Sequence, residues 1–319
     1  MSELEACVSR ARNLLICLLV LNAPTFAWNN EGHMAVAYVA YQHLNPATKA
    51  RVNHLLQLNP DYGRWKAAVP NGTSAARRNM LIFMMAATWP DYIKHKACYS
   101  DDGSKGGDRP DGATSLQNIG YSDHLHHKYW HFVDTPFSTD GTALPALPTP
   151  NVQTQITAFR AVLASHDPDA KKSYDLVWLE HLVGDIHQPL HAATRVSGTN
   201  PQGDHGGNLV TLCSPPCKQE LHAFWDDLLG TSSKASSAAT VGRNLPTPDA
   251  TLAAKKDAAA WVAESFDAAK QTVYATPVAS GDGPFTLTPA YKAAAKKVAR
   301  QRVALAGVRL ANLLNDELK

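Results

Sequence analysis

The sequence predicts an all-α protein, folded as a single, mostly helical domain with one short β-hairpin. Two long segments rich in Ala and Lys, at 250–275 and 289–316, have the apolar spacing of amphipathic helices. Apolar runs of helical length continue through much of the remaining chain. We find no internal repeat and no linker that divides the sequence. A chain of 319 residues is long enough to enclose one sizeable core.

The elements follow in order from apolar runs and turn signals. Asn45-Pro46 marks a boundary between two N-terminal helices, because the residue before Pro is disfavoured in a helix. The Gly- and Asp-rich stretch 99–122 predicts a long loop, and the Pro- and Thr-rich stretch 135–150 predicts a connection. The hairpin is expected at 208–212. Besides the two C-terminal segments, helices are predicted at 31–44, 46–58, 74–87, 152–165, 173–193 and 220–229.

Composition and charge exclude several classes of protein. Hydrophobic residues make up 45% of the chain and charged residues 18%, which is not the composition of a disordered chain, a collagen or a coiled coil. Lys and Arg number 30 against 28 Asp and Glu, for a net charge of +2. Such a balance provides no broad basic surface, so tight duplex binding by phosphate neutralisation is not indicated.

The first 27 residues have the pattern of a signal peptide. Arg10 and Arg12 precede an apolar run at 14–21, which is about half the length that a bilayer span needs. Pro24-Thr25-Phe26-Ala27 then fits a cleavage site with small residues. We therefore expect a signal peptide at 1–27, a domain at 28–319 and a secreted or periplasmic protein without a stable membrane anchor. A buried helix of a cytosolic protein is the alternative.

Cysteine usage is consistent with an oxidising compartment but does not define a disulfide scaffold. Removal of the leader would leave Cys98, Cys213 and Cys217. Closure of the short Cys213–Cys217 loop is the pairing we expect, and Cys98 could instead pair with either of them.

His and Asp residues recur within apolar segments. His181 and Asp185 are four residues apart and share a helix face, and His191, ten residues after His181 on the same predicted helix, falls within about 120° of the same arc. His222 and Asp226 repeat the four-residue spacing. Titratable groups on buried faces are costly unless they are paired or bind metal.

Three further His and Asp residues also lie within or next to apolar or aromatic segments. His131 lies among aromatic residues, Asp91 follows an apolar run, and His33 lies on the first helix. Any one of these residues alone is more often a hydrogen-bonded core residue. Together they form a set of imidazoles and carboxylates without a Cys pair, which favours a catalytic rather than a structural zinc site. The other His residues are interpreted as non-ligands, with His187 in a supporting hydrogen bond.

The order of these motifs resembles that of the zinc-dependent single-strand-specific nucleases and 3′-nucleotidases of the nuclease S-one/P-one type. The resemblance covers the chain from Trp28 to the last helix and extends more distantly to bacterial zinc phospholipase C. Its motifs are Trp followed five residues later by the His of Gly-His, then Trp-x-Asp, His-Phe-x-Asp, His-x-x-Gly-Asp-x-His-Gln-Pro-x-His, Gly-Gly-Asn and His-x-x-x-Asp.

The resemblance implies a mostly helical fold that holds three zinc ions. One zinc would be bound by Asp91, His131, His181 and Asp185. A second would be bound by His191, His222 and Asp226. The third would be bound by the α-amino nitrogen and carbonyl oxygen of Trp28, with His33 and a bridging oxygen of Asp185. An α-amino group can serve as a ligand because its pKa is near 8, but it is free only after cleavage at Ala27.

The resemblance also implies a reaction, which is hydrolysis of the P–O3′ bond. The substrates would be single-stranded DNA and RNA and 3′-mononucleotides, and the protein would be a monomer. Asp91 would orient the attacking water and Lys94 would stabilise the transition state. Phe132 would stack on a base, Asp134 would bind its edge, and Asn208 would contact base or phosphate. Phe132 could equally be core packing, and Lys94 a solvated surface residue.

Two residues depart from the family pattern. Asn29 stands where Gly is common, and Asp227 stands where an amide or hydroxyl is expected. Two other functions remain open from the sequence: a phospholipase C-like zinc phosphodiesterase and a non-catalytic secreted zinc-binding protein.

Overall fold

The computed structural model describes residues 28–111, 115, 117–216 and 219–319. The predicted signal peptide and Cys217 lie outside these residues, so the leader and the Cys213–Cys217 pairing stay predictions. The predicted fold class is confirmed, since the described chain is mostly helical with small two-stranded sheets. Among the described residues, no helix combines the length and the apolar character that a membrane span requires.

The helices occupy most of the segments that the sequence predicts. Tyr62–Ala68, Trp89–Ile93 and Ala235–Arg243 are additional helices that the apolar pattern did not indicate. In chain order the helices are α1 (Asn30–His43), α2 (Pro46–Leu56), α3 (Tyr62–Ala68), α4 (Ala75–Ala86), α5 (Trp89–Ile93), α6 (Val152–Ala164), α7 (Asp169–Asp185), α8 (Leu221–Asp226), α9 (Ala235–Arg243), α10 (Ala250–Ala253), α11 (Ala258–Ala268) and α12 (Pro289–Glu317).

Local sequence explains where several helices begin. The Asn45 side chain accepts a hydrogen bond from Thr48 N at 2.8 Å, and Pro46 follows in the first turn, where its missing N–H is not needed. Asn151 and Thr154 form a reciprocal capping box at the start of α6. Thr288 caps α12 ahead of Pro289. These caps satisfy N–H groups that have no partner within the helix.

Helix α7 lies at the centre of the main core. All its residues from 172 to 185 are buried, and it packs against α2, α6 and α12. Helix α1 packs against α12, α9 and α4. The close approach of α1 and α12 depends on Gly307, where a Cβ atom would lie 2.5 Å from Val39 Cβ. A helix buried on all sides must bury its polar residues too, which brings His181 and Asp185 into the interior.

The prediction of one helix over 173–193 is wrong at its C-terminal end. Helix α7 ends at Asp185, Pro189–His191 forms a single 3₁₀ turn, and Ala193–Val196 is a strand, β4. Pro189 cannot donate a backbone hydrogen bond, so the helix does not continue through it. His191 therefore does not share a helix face with His181, and the predicted arc does not exist.

Strands form in two other predicted segments. The predicted loop 99–122 contains the antiparallel pair β1 (Gly103–Ser104) and β2 (Arg109–Pro110). The predicted connection 135–150 contains β3 (Thr135–Ser138), which pairs in parallel with β4.

The hairpin expected at 208–212 is wrong in its position, since no regular strand forms there. Instead Thr211 makes a single antiparallel bridge with Glu220. Hydrogen bonds from Leu212 N to Gln219 O and from Leu221 N to Val210 O, both 2.9 Å, flank this bridge.

The predicted helix over 250–275 is also interrupted. It divides into α10, α11 and a π-helical turn at Ala269–Val273, and the Asp257 side chain caps α11 through Ala259 N at 3.1 Å.

Candidate metal centre

The end of α7 is the middle of the site. His181 and Asp185 are one turn apart, fully buried, with His181 Nε2 3.4 Å from Asp185 Oδ2. His131 follows the 3₁₀ turn Lys128–Trp130 and places its Nδ1 3.0 Å from the same carboxylate oxygen. Asp91 on α5 completes this group, because its Oδ1 is 3.6 Å from His181 Nε2. Asp91, His131 and Asp185, from three distant parts of the sequence, thus each approach His181 Nε2.

His33 approaches the opposite oxygen of Asp185. Its Nε2 lies 3.3 Å from Asp185 Oδ1, and its ring stacks on that of His181 with centroids 3.8 Å apart. Gly184 permits this approach, since a Cβ atom there would lie 2.8 Å from His33 Nδ1. The two oxygens of Asp185 therefore face different imidazole groups. Trp28 is fully buried at the start of α1, one turn before His33.

A second group forms beside the first. His191 Nε2 and His222 Nε2 are 3.1 Å apart, and His222 Nε2 is 3.5 Å from Asp226 Oδ2. Helix α8 supplies His222 and Asp226, whereas His191 comes from the 3₁₀ turn after α7. All three side chains are buried.

Backbone carbonyls orient three of the imidazoles. The Nδ1 atoms of His181, His191 and His222 each lie 2.7 Å from a carbonyl oxygen, of Ala87, His131 and Gly206 respectively. A carbonyl can only accept, so Nδ1 carries the proton and Nε2 presents a lone pair to the site. Metal-binding His residues in proteins are commonly held in this way.

Burial sets the electrostatics of the centre. It lowers the pKa values of His33, His131 and His181 well below the ordinary value, which keeps these rings neutral. It raises the pKa values of Asp185 and Asp226 well above the ordinary value, because a buried carboxylate without a cation is costly. Neutral imidazoles and uncompensated buried carboxyls are the combination that a divalent cation stabilises.

Several buried polar atoms of the centre have no hydrogen-bond partner. They are His33 Nδ1 and Nε2, Asp91 Oδ2, His131 Nε2 and Asp185 Oδ1. Native proteins rarely leave such atoms unsatisfied. Candidate donor atoms within 4.8 Å of one another form three groups, which are His33/His181/Asp185, Asp91/His131/His181 and His191/His222/Asp226. The donor set, the tautomers and the unsatisfied atoms all fit bound zinc.

Lys94 is not a solvated surface residue. Its side chain is 4% exposed, and its Nζ donates to Asp91 Oδ1 at 2.8 Å. Lys94 therefore lies at the edge of the Asp91 group.

Phe132 and Asp134 line a cavity of about 40 Å³, next to His131 in sequence. Asp108, Arg109 and Tyr129 also line it. Burial raises the pKa of Asp134 well above the ordinary value. Asn208 is not part of this lining, and its Nδ2 donates to His205 O at 2.6 Å within its own turn. The structure thus brings Phe132 and Asp134 together but places Asn208 elsewhere.

Gln188 is a residue of the site that sequence reasoning did not select. It is fully buried, its Nε2 donates to Asp226 Oδ1 at 2.7 Å, and its Oε1 accepts from Leu190 N at 2.6 Å. It thereby joins the turn that carries His191 to the carboxylate on α8. A Gln between two His residues in an apolar segment was the available signal.

His187 belongs to none of the three candidate metal groups. Its Nδ1 donates to Val183 O at 2.8 Å, and its Nε2 accepts from Arg309 Nη1 at 2.9 Å. Arg309 pairs in turn with Glu264, so His187 connects α7 to α12 and α11.

The fold and the site together define a mostly helical protein with a buried His and Asp centre suited to divalent cations. The family description S1/P1 Nuclease matches residues 28–319, and the chain belongs to this family. All the side chains that the sequence resemblance assigned as metal ligands occur in these three groups, and Trp28 precedes the helix that carries His33.

The curated relatives that match this chain are named as endonucleases. Endonuclease 4 of Arabidopsis thaliana is 26% identical over 225 residues, which are 69% of this chain and 60% of that protein. Endonuclease 1 of the same plant is 26% identical over 63% of this chain and 53% of its own length. Endonuclease 5 is 30% identical over 44% of this chain and 49% of its own length. The chain thus spans about half to three fifths of these relatives.

Proposed function

We propose that this protein is a zinc-dependent phosphodiesterase that hydrolyses the P–O3′ bond of single-stranded DNA and RNA and also acts as a 3′-nucleotidase. The observation that carries the proposal is the convergence of buried imidazole nitrogens and carboxylate oxygens, several of them without partners, around Asp185. Family membership and relatives named as endonucleases support the same class of reaction.

The proposed cofactor is a set of three zinc ions. One would be held by Asp91, His131, His181 and Asp185. The next would be held by His191, His222 and Asp226. The last would be held by His33, Asp185 and the backbone nitrogen and oxygen of Trp28. Bound zinc in such a cluster acidifies a water molecule and neutralises charge on phosphate oxygens.

The protein's own residues orient the reactants. Asp91 has one oxygen paired with Lys94 and one without a partner, so the free oxygen can accept a proton from an attacking water. The Lys94 ammonium, nearly enclosed beside it, can donate to a phosphate oxygen as negative charge develops there. Exclusion of bulk water strengthens both interactions.

The Phe132 and Asp134 cavity is the proposed base pocket. Phe132 offers an aromatic face for stacking, and Asp134 offers a carboxyl group to the edge of the base. A duplex cannot present a base in this way without unstacking it, which gives a reason for single-strand preference. Asn208 is assigned a more peripheral contact, with base or phosphate outside the cavity.

The proposed function also includes export and cleavage of the signal peptide. Cleavage of a signal peptide at 1–27 would release the α-amino group of Trp28 at the start of a 28–319 domain. The protein would then be a secreted or periplasmic monomer. A metal site that requires this free amine cannot form in the precursor, so activity would appear only after export.

The test combines N-terminal sequencing, zinc content and substrate choice for the exported protein. We expect Trp28 as the first residue, three zinc ions, and hydrolysis of single-stranded RNA and 3′-AMP. A variant with one extra residue before Trp28 should lose one zinc and nearly all activity. Hydrolysis of phosphatidylcholine alone would establish a phospholipase instead, and bound zinc without turnover of any phosphoester would leave a binding protein.

A further inference from the structure

The chain that follows α8 holds the beginning of α1. Asn29 Nδ2 donates to Asp227 Oδ1 at 2.7 Å and to Gly230 O at 2.5 Å. The backbone N–H of Asn29 lies 3.4 Å from Asp226 O. The three contacts join residues separated by about two hundred positions, so they are products of tertiary packing.

The same side chain also caps α1. Asn29 Oδ1 accepts hydrogen bonds from Glu31 N at 3.0 Å and Gly32 N at 3.3 Å. An amide side chain has two N–H groups and an oxygen with two lone pairs, and here each of these four positions is used. A Gly at this position would offer none of them.

Glu31 makes a second connection to the same segment. Its carboxylate is buried, accepts from Ser232 N at 2.9 Å, and also accepts from Ser237 Oγ. Gly230, at φ +121°, passes so close that a Cβ atom there would lie 2.2 Å from Glu31 Oε2. We call residues 226–237 the α8 clamp, because they form hydrogen bonds with the first turn of α1 from one side.

The α8 clamp connects two of the candidate metal groups. Asn29 lies between Trp28 and His33, whereas Asp227 directly follows Asp226. The Asn29 and Asp227 side chains bond to each other and form a complementary amide–carboxylate pair.

We propose that Asn29 is a positioning residue, which through Asp227 fixes the first turn of α1 against the end of α8. The inference rests on the proposed function, because its consequence concerns bound metal. The ion held at His33 would keep a fixed distance from the ion held at Asp226. Residues that orient ligands in this way typically contribute about 10–100-fold to metal affinity.

The test exchanges the amide and carboxylate side chains of Asn29 and Asp227. Asn29→Asp keeps a good helix cap but removes both donors and sets a carboxylate against Asp227. The affinity for the most weakly held zinc, measured by competition with a chelator, should fall about tenfold or more. Adding Asp227→Asn restores an amide–carboxylate pair with the roles reversed but not the hydrogen bond to Gly230 O, so part of the affinity should return. Asn29→Ser, which caps α1 without donating to Asp227, should cause an intermediate loss.

The control is Asp169→Asn, which disrupts a surface pair with Arg51 and should leave zinc affinity unchanged. Melting of the metal-free proteins separates positioning from general stability. Unchanged zinc affinity in Asn29→Asp and Asn29→Ser, or no recovery in the double variant, would overturn the inference. A lower metal-free Tm with a full zinc complement would do the same. Failure of the unsubstituted protein to bind zinc and cleave single strands would instead overturn the proposed function.

Discussion

Two buried clusters of His and Asp residues in this protein differ in how their polar atoms are satisfied. In the metal centre, imidazole nitrogens and carboxylate oxygens of Asp91 and Asp185 face a common point, and several have no partner. In a second cluster, formed by Asp102, Asp123 and His127, the His127 ring lies between two carboxylates, 2.6 Å from Asp102 and 3.0 Å from Asp123. The same residue types thus produce candidate metal groups in one place and a hydrogen-bonded ion network in the other.

The carboxylates of the second cluster accept additional hydrogen bonds. Asp102 also accepts from Tyr129 OH and His127 N, and Asp123 accepts from Tyr174 OH. Among the described residues, the groups that could hold a metal all lie in the first cluster. The comparison indicates that the convergence of buried donor atoms, rather than the abundance of His and Asp, distinguishes the candidate metal groups.

The largest effect on zinc binding and activity should come from Asp185→Asn. Its two oxygens face separate imidazole groups, so the amide should weaken two zinc sites and lower kcat/KM by more than about 100-fold. Metal analysis together with single-strand cleavage measures this. Asp175→Asn, on the same buried helix but outside the centre, is the matched control and should retain its zinc. A full zinc complement in Asp185→Asn would contradict the bridging role.

Gln188→Leu should have the next largest effect. The change removes the donor to Asp226 while keeping a similar volume, so zinc affinity should fall about 10–100-fold. Isothermal titration of the metal-free protein with zinc provides the measurement. Gln155→Leu alters another buried Gln, in α6, and should bind zinc normally. Equal affinities for the two variants would remove Gln188 from the site.

Gly184→Ala should have a smaller effect, which again appears in metal binding. The added methyl group would lie 2.8 Å from His33 Nδ1, so the His33 ring must shift away from Asp185. We expect about a tenfold loss of affinity at one zinc. Gly63→Ala, in α3, meets no atom within 4 Å and serves as the control. Identical zinc binding by both variants would show that the close approach of His33 is not required.

The smallest effect should come from His127→Gln in the second cluster, and it should depend on pH. Burial acts to lower the pKa of His127, but Asp102 and Asp123 outweigh it and raise the pKa above 6.5. The folded state therefore binds the proton more tightly than the unfolded state. The resulting stability is complete below pH 6.5 and is lost as pH rises through the folded-state pKa.

Thermal melting from about pH 6 to about pH 9 tests this expectation. The Tm advantage of the unsubstituted protein over His127→Gln should shrink as pH rises, with zinc content unchanged. The exposed His166→Gln should show no such trend. Loss of zinc in His127→Gln would break the distinction between the two clusters.

The sequence predicted the fold class and most helices because these depend on local signals. Apolar spacing, Asn and Thr caps, and Pro in the first turn act within a few residues. The dependence on local signals also explains the errors in the predicted elements. The pattern over 173–193 remains apolar on both sides of Pro189, since strand β4 is also buried, and periodicity alone does not distinguish a buried strand from a buried helix.

The sequence by itself determined the chemical character of this protein, namely a helical chain carrying His and Asp residues in a family order. Only the tertiary structure decided which donors meet, that Lys94 is enclosed, and that Asn29 bonds to Asp227. Contacts between residues far apart in the chain depend on how whole helices pack, and no short-range pattern encodes that packing. Burial then places ordinary His and Asp residues either in a hydrogen-bonded network or in groups that could hold a cation.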